Sequence, residues 1–271
     1  MSISFTWIDP DSGETPLGQI SSTKVKEFSG LGCAPIQHFL QGIPSQHRQL
    51  HRGLKFRPRV VQLALWSHLA SATAQDAFHT TLLAALNPDR GSGVLKAVLS
   101  DGTTTRYLDC YVQEGPDFAS EDRPLWGAHQ FYIVRFVALN PFLYNPTPVT
   151  ATGNFNGATP VDIAVNNAGH IGAFPTIEIA GQVQNPKVEL VSTGEYIQFA
   201  SYTVGSGDHL TVDHEVGTAV IDDGTDKIGE LAKASTMFYL PRGVDAVRLT
   251  CTAGTSAVTV TWYDQYLGLG S

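Results

Sequence analysis

From residue 161 onward the chain repeats one pattern: short β-branched and apolar runs, broken by Gly, Pro, Asn or Asp roughly every 8–12 residues. The runs cover residues 161–165, 176–180, 187–191, 195–199, 209–213, 219–222, 238–240, 246–252 and 257–263. They are too short and too closely spaced for helices, and their spacing is that of a β-sandwich. The last run puts Val258, Val260 and Trp262 on one face, so it predicts a strand with one buried side. Residues 226–235 leave room for a short turn only.

The first half reads differently. Residues 3–8 and 23–28 are strand-like pieces, and residues 59–66 form a β-branched, apolar run of strand length. One helix follows, over about residues 72–87. Thr73 is its expected cap, Phe78, Leu82 and Leu86 recur at helical spacing, Leu83 widens that stripe, and Asn87-Pro88 stops it. Runs 94–99 and 103–112 flank Ser100-Asp101-Gly102, a hairpin signal. Residues 113–127 are polar and acidic and predict a loop. Residues 128–139 predict the module's closing strand, which runs out at Asn140-Pro141.

Residues 145–160 are rich in Pro, Thr, Asn and Gly, a linker composition, with the alternative that part of the stretch opens the second module. The expectation is therefore a mainly β protein of two β-sandwich domains. The first, 1–147, carries one packed helix and a hairpin; the second spans 148–271. A chain of 271 residues is long enough for both. Charge divides the same way: Lys and Arg balance Asp and Glu up to Tyr144, and the whole net charge of −8 lies beyond it. An acidic second half repels nucleic acid and anionic membranes. Cys33, Cys110 and Cys251 have neither disulfide nor metal spacing, which favours a reducing compartment. The first residues do not read as a secretory signal, and no apolar run reaches the length of a membrane span.

Few side chains suggest chemistry. His47 and His51 stand four residues apart, as zinc ligands on a helix do, but no third ligand accompanies them. Arg48, Arg52, Lys55, Arg57 and Arg59 form a cationic run that reads best as a solvated strand edge or an intersubunit strip. Glu114, Asp117, Glu121 and Asp122 of a neighbouring copy would complement it. Trp126 is a candidate partner contact in the polar loop. Residues 222–226, Asp-Asp-Gly-Thr-Asp, lack the calcium-loop pattern and read as a turn. Trp262, Tyr263 and Tyr266 are candidates for stacking on a sugar, against the alternative that they fill a sheet core. With no phosphate-binding loop and no nucleophile elbow, the sequence assigns no catalytic residue, cofactor or metal.

The order of these marks resembles the distal tail protein (Dit) family of long-tailed phages. Residues 53–60, Gly-Leu-Lys-Phe-Arg-Pro-Arg-Val, are similar to the start of that family's first sandwich. Ala138-Leu-Asn-Pro-Phe-Leu-Tyr144 is similar to its end. Asn167-Ala-Gly169, Pro175 to Gly181 and Asn185-Pro186 resemble the opening of the second domain. Leu210 to Asp213, Leu240 to Asp245 and the terminal Trp262-Tyr263 with Tyr266 resemble later parts of it, with Asp245 where an Asn is usual.

The resemblance implies a non-catalytic ring, a hexamer, joining the tail tube to the tip hub and passing DNA without reading it. It also implies a galectin-like second domain turned outward for receptor-binding or side-fibre proteins. The location would be the virion, after assembly in the host cytoplasm. The resemblance further implies a ring-forming arm within residues 1–55, which the sequence does not place. A carbohydrate-binding module for host adsorption is the alternative, and a cell-wall glycosidase a weaker one.

Overall fold

The computed structural model describes residues 3–18, 23–42, 49–118, 129–157 and 159–270. The chain is mainly β, and among the described residues one α-helix runs beyond a single turn. Two compact units emerge: Met1–Pro146 together with Tyr266–Ser271, and Thr147–Gln265. The chain thus leaves the first unit and returns to it. The expectation that everything beyond residue 147 forms the second module is corrected at its end. Among the described residues no helix is long and apolar enough to cross a membrane.

The first unit contains β1 (Ser4–Ile8), β2 (Glu14–Leu17), β3 (Thr23–Ser29), β4 (Ile36–Gly42), β5 (Gln49–Phe56), β6 (Arg59–His68), α1 (Ala72–Ala85), β7 (Ser92–Val98), β8 (Thr105–Phe118), β9 (His129–Ala138) and β10 (Leu143–Tyr144). Its main sheet runs β2-β1-β7-β8-β9-β6-β3, with β10 beside β8. Neighbouring strands lie about 4.8 Å apart, so in a flat sheet β1 and β9 would be separated by roughly 14 Å. Yet Trp7 of β1 stacks on Phe136 of β9 at 5.1 Å, and Phe5 of β1 meets Phe28 of β3 at 5.4 Å. The sheet therefore curls over its own core, which contains Phe5, Trp7, Leu63, Leu65, Leu82, Tyr132 and Phe136.

Strand β6 shows why this register is fixed. Its odd-numbered residues are buried and its even ones face outward, so a one-residue slip would expose Val61, Leu63 and Leu65. Helix α1 covers the core with Leu82 and Leu86, while Leu83 points to solvent instead of widening the stripe. Its cap is Ser71, two residues before the expected Thr73; the Ser71 hydroxyl accepts from the Ala74 amide. Gln75 is buried and donates to the Tyr132 hydroxyl at 2.7 Å. Trp7 Nε1 donates to the Ala85 carbonyl and so ties the end of the helix to β1.

The β7–β8 hairpin turns where Asp101-Gly102 predicted, with Asp101 accepting from the amides of Thr103 and Thr104. Strand β8 continues to Phe118, so the first part of the expected loop is strand. Residues 119–128, which include Glu121, Asp122 and Trp126, lie outside the described residues.

The second unit is a sandwich of two antiparallel sheets. One joins β11 (Val149–Phe155), β22 (Ser256–Trp262), β13 (Thr176–Ala180), β18 (His209–Asp213) and β19 (Thr218–Ile221). The other joins β12 (Val161–Asn167), β20 (Gly243–Thr250), β15 (Lys187–Leu190) and β16 (Tyr196–Gln198). A small third sheet holds β17 (Thr203–Val204), β14 (Val183–Gln184) and β21 (Ala253–Gly254). Apolar residues of both main sheets share one core, among them Ile163, Ile177, Val188, Leu210, Val247 and Val260.

Strand β11 lies in the stretch read as a linker. Its Val and Thr residues suit a strand, and it pairs along β22 from Val149↔Trp262 to Phe155↔Ser256. The run at 238–240 is not a strand; Leu240 makes a lone bridge to Ala173. A last strand, β23 (Gln265–Tyr266), pairs with β10.

Candidate interaction surfaces

Among the described residues strands β4 and β5 pair only with each other, apart from the main sheet. Such a hairpin is marginal on its own in water. Here it is rooted at its base, where the Arg57 amide donates to the Pro35 carbonyl and Phe56 packs edge-on against Phe142 at 4.9 Å. A bulge in β5 at Arg52 lies between the pairs Phe39↔Gly53 and Leu40↔His51, next to Gly53, whose φ of 150° suits a residue without Cβ.

Directly opposed residues share a face of a hairpin. The pairs Ile36↔Phe56, His38↔Leu54 and Leu40↔His51 therefore make one apolar face that carries two imidazoles. The other face holds Gln37 with Lys55 and Gln41 with Leu50. Arg57 Nε donates to Gln37 Oε1 at 3.0 Å, and Arg52 Nε to Gln41 Oε1 at 2.5 Å. Large apolar side chains on this hairpin face water: Leu40 is 57% exposed, Leu54 50%, Leu50 and Phe39 45%, and Ile36 41%. A concentration of this kind on one projecting element marks an interaction site.

The cationic run thus splits. Arg52, Lys55 and Arg57 are exposed on the hairpin or at its end, and Arg48 and His47 lie outside the described residues. Arg59 is a correction: it is fully buried, so it is neither an edge nor an interface residue. Its Nε donates to the Pro141 carbonyl at 2.7 Å. Nη1 donates to Gly30 and Gly32 at 2.8 and 3.0 Å, and Nη2 to Leu267 at 2.6 Å. The planar fork of Arg suits four carbonyls approaching from several directions. Burial lowers its pKa from the usual value, an effect that the nearby Cys33 opposes. Gly30 is required there: at φ 83° a Cβ would lie 1.9 Å from the Val60 carbonyl oxygen.

Residues 266–271 reach this clasp. Tyr266 and Leu269 belong to the first unit's core, and the Leu269 amide donates to Leu31. The Arg106 guanidinium lies over the Tyr266 ring at 3.8 Å. Acidic residues on β8 are engaged within the chain as well: Glu114 pairs with Arg135 at 2.5 Å.

The expected sugar platform is not assembled. Trp262 is only 2% exposed and lies in the second core, its Nε1 donating to Asp264; Tyr266 is 8% exposed. Of the three aromatic side chains only Tyr263 is substantially exposed. Residues 222–226 form a turn, with the Ile221 amide donating to Thr225 and the Gly224 amide to Ile221. Among the described residues no group of three or more His, Cys, Asp or Glu could hold a metal ion.

The buried groups of the second unit are structural. His214 is buried against Phe238 with ring centres 4.2 Å apart, its Nδ1 accepting from the Phe238 amide. Burial pushes its pKa down to about 4.

Residues 168–266 match the model of the siphovirus-type tail component, C-terminal domain. No curated protein sequence matches significantly. Among solved structures, SPP1 Dit, described as a paradigm of the hub adsorption apparatus in phages infecting Gram-positive hosts, superposes with a TM-score of 0.71 at 16% identity. That match covers 97% of this chain and 99% of SPP1 Dit. A chain of the phage P2 baseplate in its activated, calcium-containing conformation matches with a TM-score of 0.54 at 9% identity, covering 97% of this chain and 98% of its own. Residues 168–266 thus match a siphovirus-type tail component C-terminal domain, the chain as a whole has the fold of SPP1 Dit, and both findings support the resemblance to the distal tail family read from the sequence.

Proposed function

We propose that the chain is a structural part of a phage tail tip, closing with its own copies into a ring between the tail tube and the tip hub. The β4–β5 hairpin carries this reading. It stands apart from the main sheet and exposes Ile36, Phe39, Leu40, Leu50 and Leu54, the features of an arm that docks on a neighbouring copy. In this reading the ring has six copies, the number the family resemblance implies, and DNA passes through without sequence recognition. The acidic second unit is the part offered outward to receptor-binding or fibre proteins. Such a role needs no catalytic residue or cofactor, and its place is the virion. The burial of Trp262 and Tyr266 takes away most of the basis for the carbohydrate-binding alternative.

The test is light scattering after size exclusion, with negative-stain imaging, on the wild type and on Leu40→Ser/Leu50→Ser/Leu54→Ser. Wild type should form rings and the variant should remain a folded monomer, because exposed sites tolerate such changes within about 0.5 kcal/mol. A wild-type chain that stays monomeric at high concentration, alone and with its tail-tube and hub proteins, would refute the proposal.

A further inference from the structure

We infer that His38 and His51 form a binding point for a borderline divalent metal ion of the Zn2+, Ni2+ or Cu2+ class. The inference does not depend on ring formation. His38 faces Leu54 and His51 faces Leu40, so the two imidazoles are diagonal neighbours on one face of the β4–β5 hairpin. His38 Nδ1 and His51 Nε2 stand 3.1 Å apart, with ring planes at 58°. Metal–imidazole bonds are about 2.0–2.1 Å long, so two nitrogens on adjacent positions of one ion lie roughly 3.0–3.4 Å apart. The two nitrogens share a hydrogen bond at a separation within that range, so an ion would take the place of the shared proton. Imidazole suits these three metals rather than calcium or magnesium.

The hairpin's described cations are turned away from the pair. Arg52 and Arg57 are held on the opposite face by Gln41 and Gln37, and Lys55 lies on that face too. Beside the imidazoles stand Ile36, Leu40 and Leu54, which bring no competing charge. Among the described residues two side chains supply ligands and water completes the shell, because no group of three or more ligating side chains exists there. A bound ion would cross-link β4 to β5 next to the bulge and stiffen the element. The His47–His51 spacing did not reveal this pair, since the partner of His51 lies on the other strand.

The experiment is calorimetric titration of Ni2+ and Zn2+ into the untagged full chain, on wild type, His38→Ala, His51→Ala and the control His68→Ala. Wild type and the control should show a binding event that weakens about ten-fold or more in each hairpin variant. Ni2+ should also raise the melting temperature of wild type and not of either hairpin variant. Circular dichroism checks folding; if an alanine variant unfolds, His38→Gln and His51→Gln take its place. Equal binding in wild type and both variants, loss in only one of them, or no binding at millimolar Ni2+ would overturn the inference.

Discussion

Two buried side chains show how far single residues depend on context. Arg59 sits in a cationic run, yet its alternation in β6 points it inward with Val61 and Leu63. Replacing it by Met would strand carbonyls at Gly30, Gly32, Pro141 and Leu267. The expected cost is about 3 kcal/mol in urea denaturation of the first unit, and Lys should recover less than half, lacking the fork.

His214 makes a pH prediction. Its folded pKa, about 4, lies below the ordinary 6.5 because burial disfavours the imidazolium. Above pH 6.5 both folded and unfolded chains carry it neutral, and its contribution is complete. As pH falls from 6.5 towards 4, the unfolded chain takes up a proton that the folded chain refuses. Stability of the second unit should then drop by about 1.4 kcal/mol per pH unit and level off below 4. His214→Gln should flatten that slope; an unchanged slope in pH-dependent denaturation would show that other groups control it.

At the level of elements, legibility followed the strength of local pattern. The strands at 176–180 and 209–213 appear with the bounds their alternation gave, and the Asp101 turn formed as its chemistry requires. Helix α1 was readable from Phe78, Leu82 and Leu86, but its start shifted because Ser71 is extended and free to cap. Ser71→Ala should cost about 1 kcal/mol, read by thermal melting.

Strands β4 and β5 escaped because a bulge interrupts their alternation and residues of both faces are exposed, so no buried side marks the strand period. Strand β11 escaped because its support comes from β22, about a hundred residues on. The aromatic trio misled for the opposite reason: Trp262 and Tyr266 satisfy their polar atoms indoors, on Asp264 and Asn145. Trp262→Ala should therefore cost about 3–5 kcal/mol in melting of the second unit, the loss of a core side chain.

For the whole molecule, the main lesson is the return of residues 266–271 to the first unit. Removing them should unfold or loosen that unit, since it loses Tyr266, Leu269 and an acceptor of Arg59. Joining residues 1–146 to 266–271 through a short Gly-Ser bridge should restore a cooperative melt, because β10 and β23 are already hydrogen-bonded neighbours. Non-cooperative melting of that shortened chain would show that the first unit needs more than its own residues.

On the proposed role a tail tip is tugged when a virion grips its host, and the second unit is joined to the first by two covalent tethers rather than one. One of them is anchored by a guanidinium that four carbonyls hold at once, so the handle should tear late.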